Sequence, residues 1–338
     1  MSNANSKRFL NKVVVVTGSS AGIGRAISLA FAKEGAHVGL ISRNEERLRQ
    51  VEEEIEQQGT KALILPLDVA NADAVDAAAD RVESELGAID IWINNAMVSV
   101  FSPVLQMEAE EYKRVTEVIY LGTVYGTLAA LKRMTKRNAG VIIQVGSALA
   151  YRGIPLQSAY CAAKHAIQGF HDSLLSELIH DKSKLKVTMV QLSAHNTPQF
   201  DWVRSRLPNK TQPVPPIYQP EVAARAVLWA ALHYRREYVI GFPSWKAIYG
   251  NNLFPSYADK YLAKNGYDNQ QTDEPKDETQ SDNLFQTVQG NFTAHGRFDN
   301  KAVGTDSFFE LTKYIPFHYL LLSMLFLLII AIVILVRR

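Results

Sequence analysis

Val13-Val14-Val15-Val16-Thr17-Gly18-Ser19-Ser20-Ala21-Gly22-Ile23-Gly24 decides how this chain folds. A β-branched run that ends at glycine reads as a buried parallel strand, here expected over residues 12–17. The glycines at 18, 22 and 24 separate it from a helix expected over 22–34 and stopped by Gly35. In that position a glycine-rich turn lets backbone amides approach a phosphate, and the helix N-terminus favours its charge. A tight strand-to-helix turn without a ligand is the plainer alternative.

The alternation continues outward. Strands are expected at 36–42, 62–67 and 89–94 with helices at 45–58 and 72–86 between them. Further strands at 140–145, 186–192 and 237–240 go with long helices at 110–137 and 159–180. Strand and helix alternating at this spacing form βαβ units. The fold class is therefore α/β, a Rossmann-type doubly wound parallel sheet flanked by helices, over residues 8–262. After Trp245 the pattern fades, and residues 263–313 read as a polar extension and linker. Its acidic run 267–283 has the composition of a loosely ordered segment.

Composition narrows the function classes. Of 338 residues 47% are apolar, ample for a large core. Lysine plus arginine number 36 against 34 acidic residues, so no basic field argues for nucleic acid. The single cysteine, Cys161, excludes an intramolecular disulfide, and the eight histidines lack zinc-ligand spacing, so no metal is expected. Residues 1–12 are polar and lack the apolar centre of a signal peptide. Residues 315–336 are almost wholly apolar and precede Arg337-Arg338. At about 1.5 Å per residue they reach roughly 33 Å, the thickness of a bilayer core. A C-terminal transmembrane helix in contact with membrane lipid is expected, with the folded part left in the cytoplasm because the span is made last. Basic residues lie on both sides of the run and do not set its orientation.

Tyr160 and Lys164 lie four residues apart, about one helical turn, so phenol and ammonium leave the same helix face. Ser147 lies thirteen residues upstream of Tyr160. Joined to the glycine-rich turn, this set resembles the short-chain dehydrogenase/reductase family over roughly residues 8–260. Asn283-Leu284-Phe285 and Ala294-His295-Gly296-Arg297-Phe298-Asp299 resemble a C-terminal extension of some bacterial members, here followed by the membrane anchor.

The resemblance implies an oxidoreductase that interconverts a carbonyl and an alcohol by hydride transfer. Ser147 would hold the substrate oxygen, Tyr160 would transfer the proton, and Lys164 would tune the tyrosine, whose ordinary pKa of about 10 calls for a nearby cation. Implied cofactor contacts are Thr17, Gly18, Ser20, Gly22, Ile23 and Gly24 in the turn, and Ser42 and Arg43 after the second strand. Asp68 and Val69 would meet the adenine side, Asn94 would follow the fourth strand, and Thr197 would meet the nicotinamide, together with Tyr160 and Lys164. Arg43 stands where the family reads the adenosine ribose. An arginine there attracts a 2′-phosphate, whereas an aspartate would repel it. NADP(H) is the preferred cofactor and NAD(H) the alternative, with Arg43 then simply opening the solvated run 43–47.

Three departures from the family pattern stand out. Met97 replaces a glycine, Ser193-Ala194 replaces Pro-Gly, and Ile119 occupies the position of an asparagine that supports a water chain. They keep open a catalytically weak NADP(H)-binding membrane scaffold or redox sensor, and an isomerase that consumes no cofactor. Met97, Phe101, Leu149, Tyr151, Phe200 and Trp202 are expected on the substrate side, with 207–220 as a lid. His195 is expected to pack its loop and Cys161 to be inert. An apolar pocket near a bilayer suits a lipophilic ketone, aldehyde or alcohol as substrate. The family also implies a homodimer through the helices after the fourth and fifth strands.

Overall fold

The computed structural model describes residues 7–315 and Tyr319. Seven strands form one sheet: β1 (Val13–Thr17), β2 (His37–Ser42), β3 (Ala62–Pro66), β4 (Ile89–Asn94), β5 (Val141–Ser147), β6 (Lys186–Leu192) and β7 (Glu237–Val239). Their order is β3-β2-β1-β4-β5-β6-β7, and every neighbouring pair is parallel. The order reverses between β1 and β4, which opens a crevice at the carboxyl ends of those strands.

Side chains of β1 alternate between two cores. Val14 and Val16 join Phe31, Leu40 and Val222 on one face, while Val13 and Val15 join Trp92, Ile142 and Ile119 on the other. That period of two on a strand buried on both sides is why the run is unbroken valine. Helices α1 (Gly22–Lys33), α2 (Glu45–Glu56) and α3 (Ala72–Glu85) connect the first four strands. Asn44 and Asn71 start α2 and α3 by accepting from the amides of Arg47 and Ala74. The long helix expected at 110–137 has a π-helical turn, Glu117–Leu121, between Ala109–Thr116 and Gly122–Arg137. Ile119 lies in that turn and is fully buried.

The run 267–283, expected to be loosely ordered, is held against the sheet domain. Gln271–Pro275 pairs antiparallel with Asn209–Thr211, and Ala302–Val303 pairs in parallel with Ile217–Tyr218. Beyond the run, Leu284 and Phe298 are 0% and 4% exposed and anchor the segment that follows it. Averaged polarity hides these few apolar anchors. The same pairings pin 207–220 on both sides, so it does not stand as a separate lid. Among the described residues no helix is long and apolar enough to cross a membrane, and the span expected at 315–336 lies outside them apart from Ile315 and Tyr319.

Two buried histidines should make the fold acid-sensitive. Burial holds the His171 and His195 rings down at about 4, against an ordinary value near 6.5. With the folded value lowered, their stabilising contribution is complete above about pH 6.5 and is lost as pH falls through about 4. That is on the order of 3 kcal/mol each. Denaturant unfolding at pH 7.5 and 4.5 should show the lower stability at pH 4.5, and His171→Leu should recover part of the difference. Equal stability at both pH values would contradict this.

Candidate active site

The glycine-rich turn closes the back of the crevice. Gly18 and Gly22 have φ of +68° and +57°, a left-handed conformation suited to glycine. Behind them, the Thr17 hydroxyl accepts from the amides of Asn95 (2.9 Å) and Ala96 (3.0 Å), and the Asn95 side chain donates to the Thr17 carbonyl at 3.0 Å. These bonds tie the end of β1 to the end of β4. The hydroxyls of Ser20 and Ser42 lie 2.8 Å apart at the rim.

Most of the expected cofactor residues share this crevice. Gly18, Ser20, Gly22 and Ile23 line it from the turn, Ser42 and Arg43 from the end of β2, Asp68 and Val69 from beyond β3, and Thr197 from beyond β6. Thr17, Gly24, Asn94, Tyr160 and Lys164 are not among its lining residues, nor is Ser147. Gly24 lets α1 approach the turn, and Thr17 braces it. Asn94 is 3% exposed, accepts from the Trp92 indole at 2.9 Å and donates to Thr127 and Gln144, both at 3.0 Å. Its side chain is consumed in joining β4 to β5 and the helix Gly122–Arg137, and Asn95 and Ala96 face the crevice instead.

Ser147 ends β5, and the helix α4 (Ser158–His180) brings Tyr160 and Lys164 beside it. The Tyr160 phenol faces the Ser147 hydroxyl closely enough for it to act on the phenol's proton affinity, and the Lys164 ammonium lies 5.6 Å from the centre of the Tyr160 ring. Ser147 also accepts from the Leu149 amide at 3.1 Å, and Lys164 donates to the Val145 carbonyl at 2.7 Å. Burial pushes the Tyr160 phenol up to about 12, with the Ser147 hydroxyl pulling the other way, and pulls Lys164 down to about 8. Near neutrality the phenol therefore keeps its proton, and most of the lysine is charged. The arrangement can donate a proton to, or accept one from, an oxygen placed at Ser147.

The donor set fits the phosphates of a dinucleotide. The first turn of α1 carries no acidic residue, and neither Arg43 nor Arg47 is in an ion pair among the described residues. Asp68 faces the same crevice, but its carboxylate is paired with Arg114. Burial lowers the pKa of both Arg43 and Arg47, yet a guanidinium stays charged near neutrality.

Arg47 escaped the sequence reading because it falls inside a charged amphipathic run. The extension was visible in the sequence, but its contact with the crevice was not. Arg43 donates to the carbonyls of Asn283 (2.5 Å), Phe285 (3.0 Å) and Leu284 (3.4 Å). Arg114 donates to Leu284, Arg25 to Phe292, and the Gly22 amide to the Thr293 carbonyl at 3.0 Å. The 294–299 motif buttresses the Thr197 loop. A Cβ at Gly296 would lie 2.5 Å from the Thr197 carbonyl oxygen, and the Asn196 side chain accepts from the Phe298 amide and donates to Asp299. The unusual spacing of glycine and aromatic residues in that motif was the available signal.

On the expected substrate side, Met97 and Trp202 line the crevice. Phe101 and Phe200 instead pack with Leu156, Leu207 and Phe298 in a satellite core. Tyr151 donates to Glu237 at 2.7 Å, drawn toward β7. His195 bonds the Ser193 carbonyl at 2.9 Å and packs near Tyr218. Cys161 is buried, which raises its thiol pKa and keeps it protonated.

Residues 12–207 match the family described as short chain dehydrogenase. The uncharacterized oxidoreductase YxnA of Bacillus subtilis (strain 168) is 33% identical over 299 residues, which cover 87% of this chain and 83% of that protein. A fatty acyl-CoA reductase of Acinetobacter baylyi is 33% identical over 221 residues, 65% of this chain and 72% of that one. Among solved structures, a metagenomic short-chain oxidoreductase in complex with NADP matches with a TM-score of 0.59 and 26% identity, covering 69% of this chain and 97% of its own.

Proposed function

Because the chain belongs to the short-chain dehydrogenase family, oxidoreductases acting on CH–OH and C=O groups with NAD(P)(H), we propose that it is an NADP(H)-dependent enzyme interconverting a lipophilic carbonyl and its alcohol. In this reading residues 315–336 anchor it to a membrane, with the catalytic part in the cytoplasm.

The observation that carries the chemistry is Tyr160 facing Ser147 with Lys164 beside its ring. Carbonyl reduction needs a proton donor at the oxygen and a group that holds the oxygen still. Tyr160 gives the proton, and Ser147 hydrogen-bonds the same oxygen. The Lys164 charge lowers the cost of the phenolate left behind. Alcohol oxidation runs these roles backward. When bound, the nicotinamide supplies or accepts the hydride.

Arg43 and Ser42 at the end of β2 support the NADP(H) preference, as does the NADP in the metagenomic neighbour. A charge-assisted contact contributes roughly 1.5–3 kcal/mol. Arg43→Asp is therefore expected to move the NADPH/NADH affinity ratio toward NADH by about 10- to 100-fold. An unchanged ratio would remove Arg43 from the site.

Met97 and Val98 on the crevice wall support a lipophilic substrate, and the Acinetobacter relative's name, a fatty acyl-CoA reductase, points the same way. A homodimer would pair the helices Gly122–Arg137 and Ser158–His180, where Leu128 and Ile179 are exposed. Buried Ile119 favours a second reading, a cofactor-binding scaffold or sensor, because an isoleucine side chain cannot relay protons.

The test is NADPH oxidation by the detergent-solubilised full chain against a panel of lipophilic aldehydes and ketones. Turnover establishes the reductase, whereas tight NADPH binding with none across the panel favours the sensor. Recovery of the chain in the carbonate-washed membrane fraction tests the anchor.

A further inference from the structure

Arg47, in the first turn of α2, is 6% exposed and lines the crevice with Gly22, Arg43 and Thr197. A cation so deeply buried normally has a carboxylate partner. Arg47 has none among the described residues, and its Nε has no hydrogen-bond partner. Its Nη1 donates to the Val288 carbonyl at 3.1 Å. The guanidinium carbon lies 5.2 Å from the Trp202 ring centre and 5.5 Å from that of Phe292, and the two rings meet edge to face at 4.5 Å. One ring comes from the segment after Thr197, the other from the extension. Together they hold the guanidinium plane through its attraction to their faces.

The neighbouring charges sharpen the point. Arg25 is paired with Glu54 and Arg114 with Asp68, whereas Arg43 and Arg47 have backbone carbonyls. Carbonyl dipoles satisfy donors but do not neutralise charge, and the acidic neighbours Asp68 and Glu46 act on Arg43 and Arg47 without forming an ion pair among the described residues, so the pair can take a further anion.

We propose that Arg47 binds a phosphate of the dinucleotide and that residues 283–292 are the strap that holds it in place. This rests on the NADP(H) reading above. The dinucleotide offers two phosphate sources, the 2′-phosphate and the pyrophosphate, and NADH carries only the second.

The experiment is equilibrium binding of NADPH and NADH to the full chain in detergent, for the wild type, Arg47→Gln, Phe292→Ala and Arg49→Gln. Arg49 lies on the exposed side of the same helix, paired with Glu45, and serves as the charge control. Arg47→Gln should weaken NADPH binding at least about tenfold, the scale of a lost charge-assisted contact, and Arg49→Gln should leave it unchanged. A loss confined to NADPH assigns the 2′-phosphate; an equal loss for NADH assigns the pyrophosphate. Phe292→Ala should raise amide exchange over 283–293 and weaken NADPH binding as well.

Arg47→Gln that melts like the wild type and binds both nucleotides within twofold of it would overturn the proposal. Tighter NADPH binding in either variant would also overturn it, since the strap would then be a competitor. Freer exchange in Phe292→Ala at unchanged affinity would remove the strap. Wild-type protein that binds neither nucleotide would instead refute the functional reading itself.

Discussion

Tyr160→Phe is expected to lower carbonyl reduction by about 10³-fold or more while leaving the NADPH dissociation constant within about threefold of wild type. The ring stays, so its packing against the buried core and its position beside Lys164 are kept. What goes is the hydroxyl that faces Ser147. General acid transfer contributes about 10²–10⁴ in rate, and loss of the hydrogen bond to the substrate oxygen adds to it. With Lys164 at about 8, wild-type reduction should also decline above roughly pH 8, as the charge that stabilises the phenolate is lost. Single-turnover NADPH oxidation and a separate binding titration check both parts. Full activity in the variant would mean that the proton comes from another group.

Gly24→Ala should abolish nucleotide binding and lower stability by about 2–4 kcal/mol. Helix propensity predicts the opposite sign, because alanine inside a helix is favoured over glycine by about 1 kcal/mol. Close contact decides. A Cβ at Gly24 would lie 2.1 Å from the Gly18 carbonyl oxygen and 2.6 Å from the Asn95 side-chain nitrogen. Both belong to the latch that joins β1 to β4, so relief of the clash opens the turn that lines the crevice. Thermal unfolding and NADPH titration of the purified variant read the two effects. A variant more stable than wild type would show that the turn yields without cost.

The parallel sheet was legible because its signals are local. Valine runs, glycine stops and the amphipathic periods of 45–58 and 72–86 each report on a few neighbouring residues. The spacing of Tyr160 and Lys164 placed both on one helix face, and the structure puts that face beside Ser147. Asn94 was harder to read. Sequence resemblance put it at the cofactor, but strand pleating points its amide between Trp92, Thr127 and Gln144.

By itself the sequence determined the α/β class, the glycine turn and the Ser147, Tyr160 and Lys164 set, because each depends on residues close together or on strand ends whose order follows from βαβ handedness. Only the tertiary structure decided that 283–298, some 240 residues beyond Arg43, closes on the same crevice. No local period encodes a contact of that separation. Leu284, Phe292 and Phe298 look like isolated apolar residues in a polar run until the folded domain supplies the surfaces they bury against.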